Sequence, residues 1–230
     1  VNPLPRAVLF DNDGVLVASE PLHWTAWERL LEEHGIPYNP GEMRKYVGKT
    51  GPEIMVQLLN RYVPGWDPAR YDVVALAHRK NDIYLEAARG GALSAYPGVA
   101  EGIDWLRSRG VRIGAVSNAR RRELEGALRL TGLIERFDVL VSRDDVSAFK
   151  PDPTPYLFGA GALALAPGDC LAVEDSPTGL EAALLARMPS AAVTTNFPAQ
   201  ELSAPVPGRS DLRPVWIGES MSELFEWLKR

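Results

Sequence analysis

Short apolar runs alternate along the chain with longer amphipathic stretches. Ala7-Val-Leu-Phe10 is one such run, and it ends in Asp11-Asn-Asp-Gly14. A run of this length with a polar, glycine-containing exit reads as a buried strand of a parallel sheet. The pattern returns at residues 111–116 before Ser117-Asn118, at 137–141 before Ser142-Arg-Asp-Asp145, and at 170–173 before Glu174-Asp-Ser176. Residues 190–194 predict a weaker fifth strand and Val215-Trp-Ile217 a candidate sixth. Between them the apolar spacing turns helical. Val99, Ile103 and Leu106 lie on one face of a predicted helix over 99–109, and Leu124, Leu128 and Leu133 mark the next. Segments 155–165 and 177–187 each begin with proline, whose missing N–H costs little in a first helical turn. Strand, helix, strand at this spacing predicts a doubly wound α/β fold, with ligands at the carboxyl ends of the strands.

Residues 17–92 break the rhythm. The pattern there predicts helices over 21–34, 52–62 and 68–89 with no strand alternation, punctuated by Pro37, Pro40, Gly51, Pro64 and Gly65. A helical insert directly after the first strand predicts a lid over the strand ends. The expected division is an α/β Rossmann-like core of 1–16 and 93–230 and a helical cap of 17–92. No internal repeat or low-complexity tract is present.

Composition narrows the picture. The chain has 230 residues, 46% hydrophobic and 24% charged, which fits a folded globular protein and excludes a disordered one. No apolar run approaches the ~18 residues of a membrane span. With no secretory signal in view, a cytoplasmic location is expected, and no membrane partner. Cys170 is the sole cysteine, so no internal disulfide forms. Lysine plus arginine number 25 and aspartate plus glutamate 30, a net charge of −5. That balance lacks the basic stripe a nucleic-acid binder needs. The three histidines, His23, His34 and His78, are too dispersed to suggest a metal cluster. A monomer is expected.

The strand ends carry the chemistry. Asp11 and Asp13, at i and i+2, lean to one side of an extended chain, and Gly14 lets the backbone turn behind them. Such a pair can hold a hard cation, and one member can act as a nucleophile. Asp, Asn and Gly are also plain turn residues. Glu174-Asp-Ser176 and Ser117-Asn118 could equally be helix caps, and Lys150 a solvated lysine. Parallel strands would nevertheless bring all of them to one edge. Several carboxylates there need a cation to coexist. Magnesium suits oxygen ligands and phosphate, and a lysine with a Ser/Asn pair suits phosphate oxygens.

Phe10-Asp-Asn-Asp-Gly-Val15, Val116-Ser-Asn118, Lys150-Pro-Asp-Pro153 and Val173-Glu-Asp-Ser-Pro-Thr-Gly179 resemble, in order and spacing, the four motifs of the haloacid dehalogenase-like superfamily. The insert resembles the cap of its phosphatase and phosphomutase branch. The resemblance implies that Asp11 is the nucleophile and Asp13 the general acid, then base. It implies Mg2+ on Asp11, the carbonyl of Asp13 and Asp175, with Glu174 acting through water. Ser117 and Lys150 would hold phosphoryl oxygens, assisted by Asn118. Dehalogenases of the superfamily lack the acid at position 13, so phosphoryl transfer is favoured. Asn12 stands where the family commonly has an apolar residue, and Ala18-Ser19 where Asp-Ser is often seen.

In the cap, His23, and Arg79-Lys80-Asn81 with Tyr84, resemble β-phosphoglucomutase-like members. The arginine those mutases use for the distal phosphate falls near position 51, which is Gly51, and Lys49 is the nearest cation. His23, Lys49 and Lys80 are therefore the expected substrate-binding residues of the cap. A partly buried helix histidine and solvated lysines are the alternative readings. Trp24, Trp27 and Trp66 read as cap core. The expected function is a magnesium-dependent phosphatase of a small phosphorylated metabolite, a sugar phosphate. A sugar phosphomutase is the first alternative, and a non-catalytic metabolite sensor on the same fold the second.

Overall fold

A computed structural model describes residues 4–46 and 49–230. Six parallel strands form one sheet in the order β3-β2-β1-β4-β5-β6. They are β1 (Ala7–Phe10), β2 (Arg112–Val116), β3 (Val139–Val141), β4 (Cys170–Glu174), β5 (Ser190–Val193) and β6 (Trp216–Gly218). Strand β1 is central and pairs with β2 on one side and β4 on the other. All four of its residues are buried, as an apolar run sandwiched on both faces requires. The winding reverses direction between β1 and β4. Their carboxyl ends therefore splay connections to opposite sides and leave a crevice, the usual ligand position in open α/β sheets.

The pleat sorts β1 onto two cores. Val8 and Phe10 join Val99, Ile103 and Leu106 of α4 (Val99–Arg107) and Leu124 and Leu128 of α5 (Arg121–Leu130). Ala7 and Leu9 face Tyr156 and Ala160 of α6 (Thr154–Ala162) and Ala182 and Ala183 of α7 (Pro177–Leu185). Two helices were not expected from the sequence, α8 (Ala199–Leu202) and α9 (Met221–Leu228). Met221, Leu224 and Phe225 of α9 complete the first core. Phe225 lies 6.4 Å from Phe10 between ring centroids and fills the space beside Gly102, where a Cβ would come within 2.2 Å of its ring.

The insert contains α1 (Glu20–Glu33), a 3-10 turn at Pro40–Tyr46, α2 (Gly51–Tyr62) and α3 (Val73–Ala87). It buries its own core of Trp27, Leu30, Leu31, Met55, Leu58, Leu59, Ile83 and Tyr84. Trp24 and Trp66 pack against that core. The helix expected over 68–89 starts later, at Val73. Asp72 caps it by accepting from the backbone N–H groups of Val74 and Ala75, both at 3.0 Å. Upstream, the Asp67 carboxylate takes the Ala69 N–H at 2.9 Å and holds a turn instead. The helices expected over 99–109, 155–165 and 177–187 end at Arg107, Ala162 and Leu185, two or three residues early. The insert leaves and re-enters through adjacent segments: Ala18 N–H donates to Ser94 O at 2.9 Å and Tyr96 N–H to Leu16 O at 3.0 Å. No helix among the described residues is long and apolar enough to cross a membrane.

Because α9 closes the core that positions β1, Phe225→Ala should destabilise the protein by about 3–5 kcal/mol, the usual cost of emptying a buried aromatic site. Chemical denaturation measures this, and a loss under about 1 kcal/mol would mean that α9 merely covers the sheet.

Candidate active site

Three strand ends and two loops converge at the crevice. Asp11 follows β1, and its N–H donates to Val173 O at 2.9 Å, which continues the β1–β4 pairing past the last strand residue. Asp175 follows β4 on the next strand. Gly14 turns the chain away with φ of +81°, and a Cβ there would lie 2.0 Å from Asp175 Oδ2. Gly179, in the first turn of α7, does the same for Glu174: a Cβ would meet its carboxylate oxygens at about 2.0 Å. Both glycines exist so that carboxylates can occupy the space.

Asp11, Glu174 and Asp175 have carboxylate oxygens all within 4.8 Å of one another, and all three residues are buried. Lys150 reaches in from the loop after β3. Its Nζ donates to Asp11 Oδ1 and Glu174 Oε1, both at 2.6 Å, and to Val116 O at 2.7 Å. The ammonium is held well above an ordinary lysine: burial would lower it, but Asp11 and Glu174 more than offset that. Tyr156 donates its hydroxyl to Glu174 Oε1 at 2.6 Å. Asn118 fixes the Lys150 loop, accepting from Lys150 N–H at 3.0 Å and donating to Lys150 O at 3.1 Å. Three carboxylates around one ammonium leave two negative charges uncompensated. Accordingly Asp11 and Asp175 are both pushed well above the usual carboxylate range, by burial first and then by their acidic neighbours. The donor set is all oxygen, buried, and short of two positive charges, which fits a hard divalent cation.

Asp13 points elsewhere. Its Oδ1 accepts from Ser19 Oγ and, at 3.1 Å, from Asn12 Nδ2, and lies 3.4 Å from His23 Nε2. Burial alone would raise this carboxyl, but donors from His23, Ser19 and Asn12 hold it at about 2. His23 belongs to α1 of the insert, stacks on Tyr84 at 4.1 Å between centroids, and has Lys80 Nζ 2.6 Å from its Nδ1. Lysine can only donate there, so the other ring nitrogen carries the proton that faces Asp13. Lys80 is buried at 5% exposure over the rings of Trp27 and Tyr84, and its pKa falls to about 8, chiefly through burial.

The cleft between core and insert is lined by Asp11, Asp13, Ser117 and Lys150 below and by His23, Lys49 and Lys80 above. Every site residue expected from the sequence borders it except Glu174, which lies beneath, wholly buried. Ser117 Oγ accepts the Ala119 N–H at 3.0 Å, so its own proton can be offered to the cleft. Lys49 donates to Gln57 at 2.9 Å. His23, expected to serve substrate choice alone, also touches Asp13.

Three participants went unread in the sequence. Asn196, after β5, donates to Asp175 Oδ2 at 2.6 Å and Glu20 Oε1 at 2.9 Å. Glu20 is buried with Oε2 unpartnered among the described residues, and burial raises it to about 7. Glu123 of α5 accepts from Asn81 of α3 at 2.7 Å, joining core to insert, and burial raises it also to about 7. Their only signal was position: Asn196 follows a strand, and Glu20 and Glu123 open helices.

Comparison with known proteins identifies the family. The family described as haloacid dehalogenase-like hydrolase matches residues 5–187. The validoxylamine A 7'-phosphate phosphatase of Streptomyces hygroscopicus subsp. limoneus is 31% identical over 86% of this chain and 90% of its own length. The β-phosphoglucomutase of Bacillus subtilis is 28% identical over 90% of this chain and 91% of its own. Among solved structures, CbbY from Rhodobacter sphaeroides in complex with phosphate superposes with a TM-score of 0.81 at 25% identity, covering 96% of each chain. The chain belongs to the haloacid dehalogenase-like hydrolases.

Glu20 and Glu123 hold protons in the fold that the unfolded chain has already released above its ordinary glutamate range, near 4.5. Stability of the metal-free protein should therefore fall as pH rises through about 5 to 7, where the folded state binds more protons. Asp11 and Asp175, raised by burial and by their acidic neighbours, add to this, while His23 and Lys80, lowered mainly by burial, oppose it. In chelator, Tm should be higher at about pH 6 than at about pH 7.5, and Glu20→Gln should flatten the slope. A wild-type Tm that rises over that interval would contradict the assignment.

Proposed function

We propose that this chain is a magnesium-dependent phosphatase of small phosphorylated metabolites, sugar phosphates in particular, working through an aspartyl phosphate on Asp11. The observation that carries this reading is the pairing of two differently treated aspartates at one strand end. Asp11 lies in the cation-seeking cluster, and Asp13 stands two residues away with its carboxylate turned to the cleft and the insert. In this reading Asp13, ionised in the free fold, first takes up the proton carried in by a monoester that enters as its monoanion. Asp11 then attacks phosphorus in line while the departing oxygen takes that proton from Asp13. Asp13 then takes a proton from water as that water attacks the aspartyl phosphate, which restores Asp11 and releases phosphate.

Charge is the main obstacle. A carboxylate approaching a phosphate dianion meets repulsion of about 4 kcal/mol per charge pair at ~4 Å and an effective dielectric of ~20. Lys150 offsets part of it from 2.6 Å. Mg2+, held by Asp11, Asp175 and the Asp13 carbonyl with Glu174 behind them, would supply the remaining positive charge at the transferring phosphoryl group. Ser117 offers its hydroxyl to a phosphoryl oxygen, and Asn118 assists by holding the Lys150 main chain. The cap, taken as residues 17–92, presents His23, Lys49 and Lys80 to the rest of the substrate.

The phosphate bound in the CbbY structure and the phosphatase named among the relatives favour hydrolysis. The likeness to a β-phosphoglucomutase keeps transfer between sugar phosphates as the competing outcome. Gly51 opposes it, since no side chain at that position reaches a distal phosphate, and its missing Cβ would already sit 3.2 Å from Ala77 Cβ.

Steady hydrolysis of p-nitrophenyl phosphate, with and without glucose 1,6-bisphosphate, decides between them. Hydrolysis independent of the bisphosphate is expected, and bisphosphate-dependent isomerisation would overturn the phosphatase reading. In the same assay Asp11→Asn should lose many orders of magnitude in kcat, and chelator should abolish wild-type turnover until Mg2+ is restored. Retention of more than about a tenth of kcat by the variant, a change under ~1.4 kcal/mol, would remove Asp11 from the nucleophile's role.

The core groups reach only the phosphoryl group that all substrates share, so discrimination falls to the cap. Lys49→Ala should lower kcat/KM about tenfold for the preferred substrate from a screen of phosphorylated metabolites, and leave p-nitrophenyl phosphate nearly unchanged. Equal losses on both would make Lys49 a support of the cap.

A further inference from the structure

Asn12 sits between the two aspartates and is 1% exposed. Its side chain does none of the work that usually places asparagine in a turn. The backbone at Asn12 is not left-handed; Ala164 and Arg187 are the non-glycine residues with positive φ. The turn is closed by main-chain groups: Asn12 O accepts from Leu16 N–H at 2.9 Å and Val17 N–H at 3.0 Å. No backbone N–H reaches the amide oxygen, which is buried without a partner among the described residues. A buried amide with one end unsatisfied is costly, and any apolar side chain of similar size would avoid the cost.

What the amide does is donate from Nδ2 to Asp13 Oδ1 at 3.1 Å. Turning it over would set its oxygen against that carboxylate and bury the NH2 group instead, so the orientation is fixed. Ser19 Oγ donates to the same Oδ1, and His23 Nε2 faces it at 3.4 Å. Three groups thus converge on one oxygen of Asp13, while no donor among the described residues reaches Oδ2. Asp13 lines the cleft with its side chain 27% exposed.

We propose that Asn12 is a positioning residue for proton transfer: it helps lock Asp13 through Oδ1 so that Oδ2 is the atom that gives its proton to the leaving oxygen. This rests on the reading of Asp13 as general acid. Ser19 and His23 hold Oδ1 from the side of the insert, whereas Asn12 holds it from the core strand end. Asn12 is therefore the anchor that stays with the core whatever the insert does. Its unsatisfied oxygen is the cost of placing an amide there.

The test compares kcat/KM, which reports the steps up to departure of the leaving group, for two probes. Phenyl phosphate releases a phenolate that needs a proton, and p-nitrophenyl phosphate releases one that leaves without it. Asn12→Leu should lower kcat/KM for phenyl phosphate about tenfold more than for p-nitrophenyl phosphate, while Tm stays level or rises because the unsatisfied amide is gone. A residue with a merely structural role would lose Tm and lose both substrates alike. Asn12→Ala, which removes the amide without adding bulk, should show the same selectivity and carries the test if the leucine variant does not fold. Asp13→Asn is the control and should show the same selectivity more strongly. If Asp13→Asn is selective and both Asn12 variants are not, the positioning role is overturned and the general acid stands. If Asp13→Asn is itself unselective, the general-acid reading fails and takes the inference with it.

Discussion

One buried ammonium holds the centre of this molecule. Lys150 Nζ sits within 2.7 Å of Asp11, Glu174 and the Val116 carbonyl, and so ties together the ends of β1, β2 and β4. Removing one partner of such a buried pair leaves an uncompensated charge and typically costs 3–5 kcal/mol. The surrounding design follows from keeping that contact. Asn118 clamps the lysine's main chain, Tyr156 satisfies the glutamate, and Gly179 clears the space that the Glu174 carboxylate fills. Even so, the lysine compensates only part of the acidic cluster. The fold therefore arrives at its strand ends with a deficit of positive charge, which suits a hard divalent cation.

The sheet makes this concentration possible. Because β1 lies between β2 and β4, groups distant in sequence become neighbours at one edge: Asp11, Ser117 and Asp175 follow three adjacent strands. The switch in winding between β1 and β4 keeps helices from closing over that edge. The space is roofed by the insert instead, whose own hydrophobic core lets it stand as a body over the crevice.

The inner strands and their polar exits were legible because a buried parallel strand leaves a few apolar residues followed by polar ones, whereas the two strands at the β5–β6 edge left a weaker trace. Helix boundaries were less so. The start at Val73 depends on the Asp72 cap and the Asp67 turn, two local hydrogen bonds that periodicity ignores. Helix α9 was missed because its eight residues follow a weak edge strand, and its apolar face only makes sense once Phe10 and Gly102 are known to need Phe225. The groups behind the first layer were hidden for a different reason. Glu20 and Glu123 open helices, where acids are expected on dipole grounds alone. Asn196 lies in the loop after β5, with no carboxylate to draw attention. Their roles come from tertiary proximity to Asp175 and to Lys80, which no short motif encodes.

The same proximity changes how the insert relates to the chemistry. If cap and core were independent, substrate choice would sit above and proton transfer below. The contacts run through both. Glu123 of the core binds Asn81, the neighbour of Lys80. Lys80 fixes the tautomer of His23, and His23 presents its remaining N–H to Asp13. A shift of α1 by more than about 1 Å would take His23 out of hydrogen-bond range of Asp13, given that the contact is already 3.4 Å. Asn12 alone among the donors to Oδ1 belongs to the strand end rather than to the insert or its entry. Asp13 is thus held twice: once from the core strand end by Asn12, and once from the insert side by Ser19 and His23. In the proposed mechanism, a substrate that seats the insert completes the second hold, so that recognition of its distant part feeds into the readiness of Asp13.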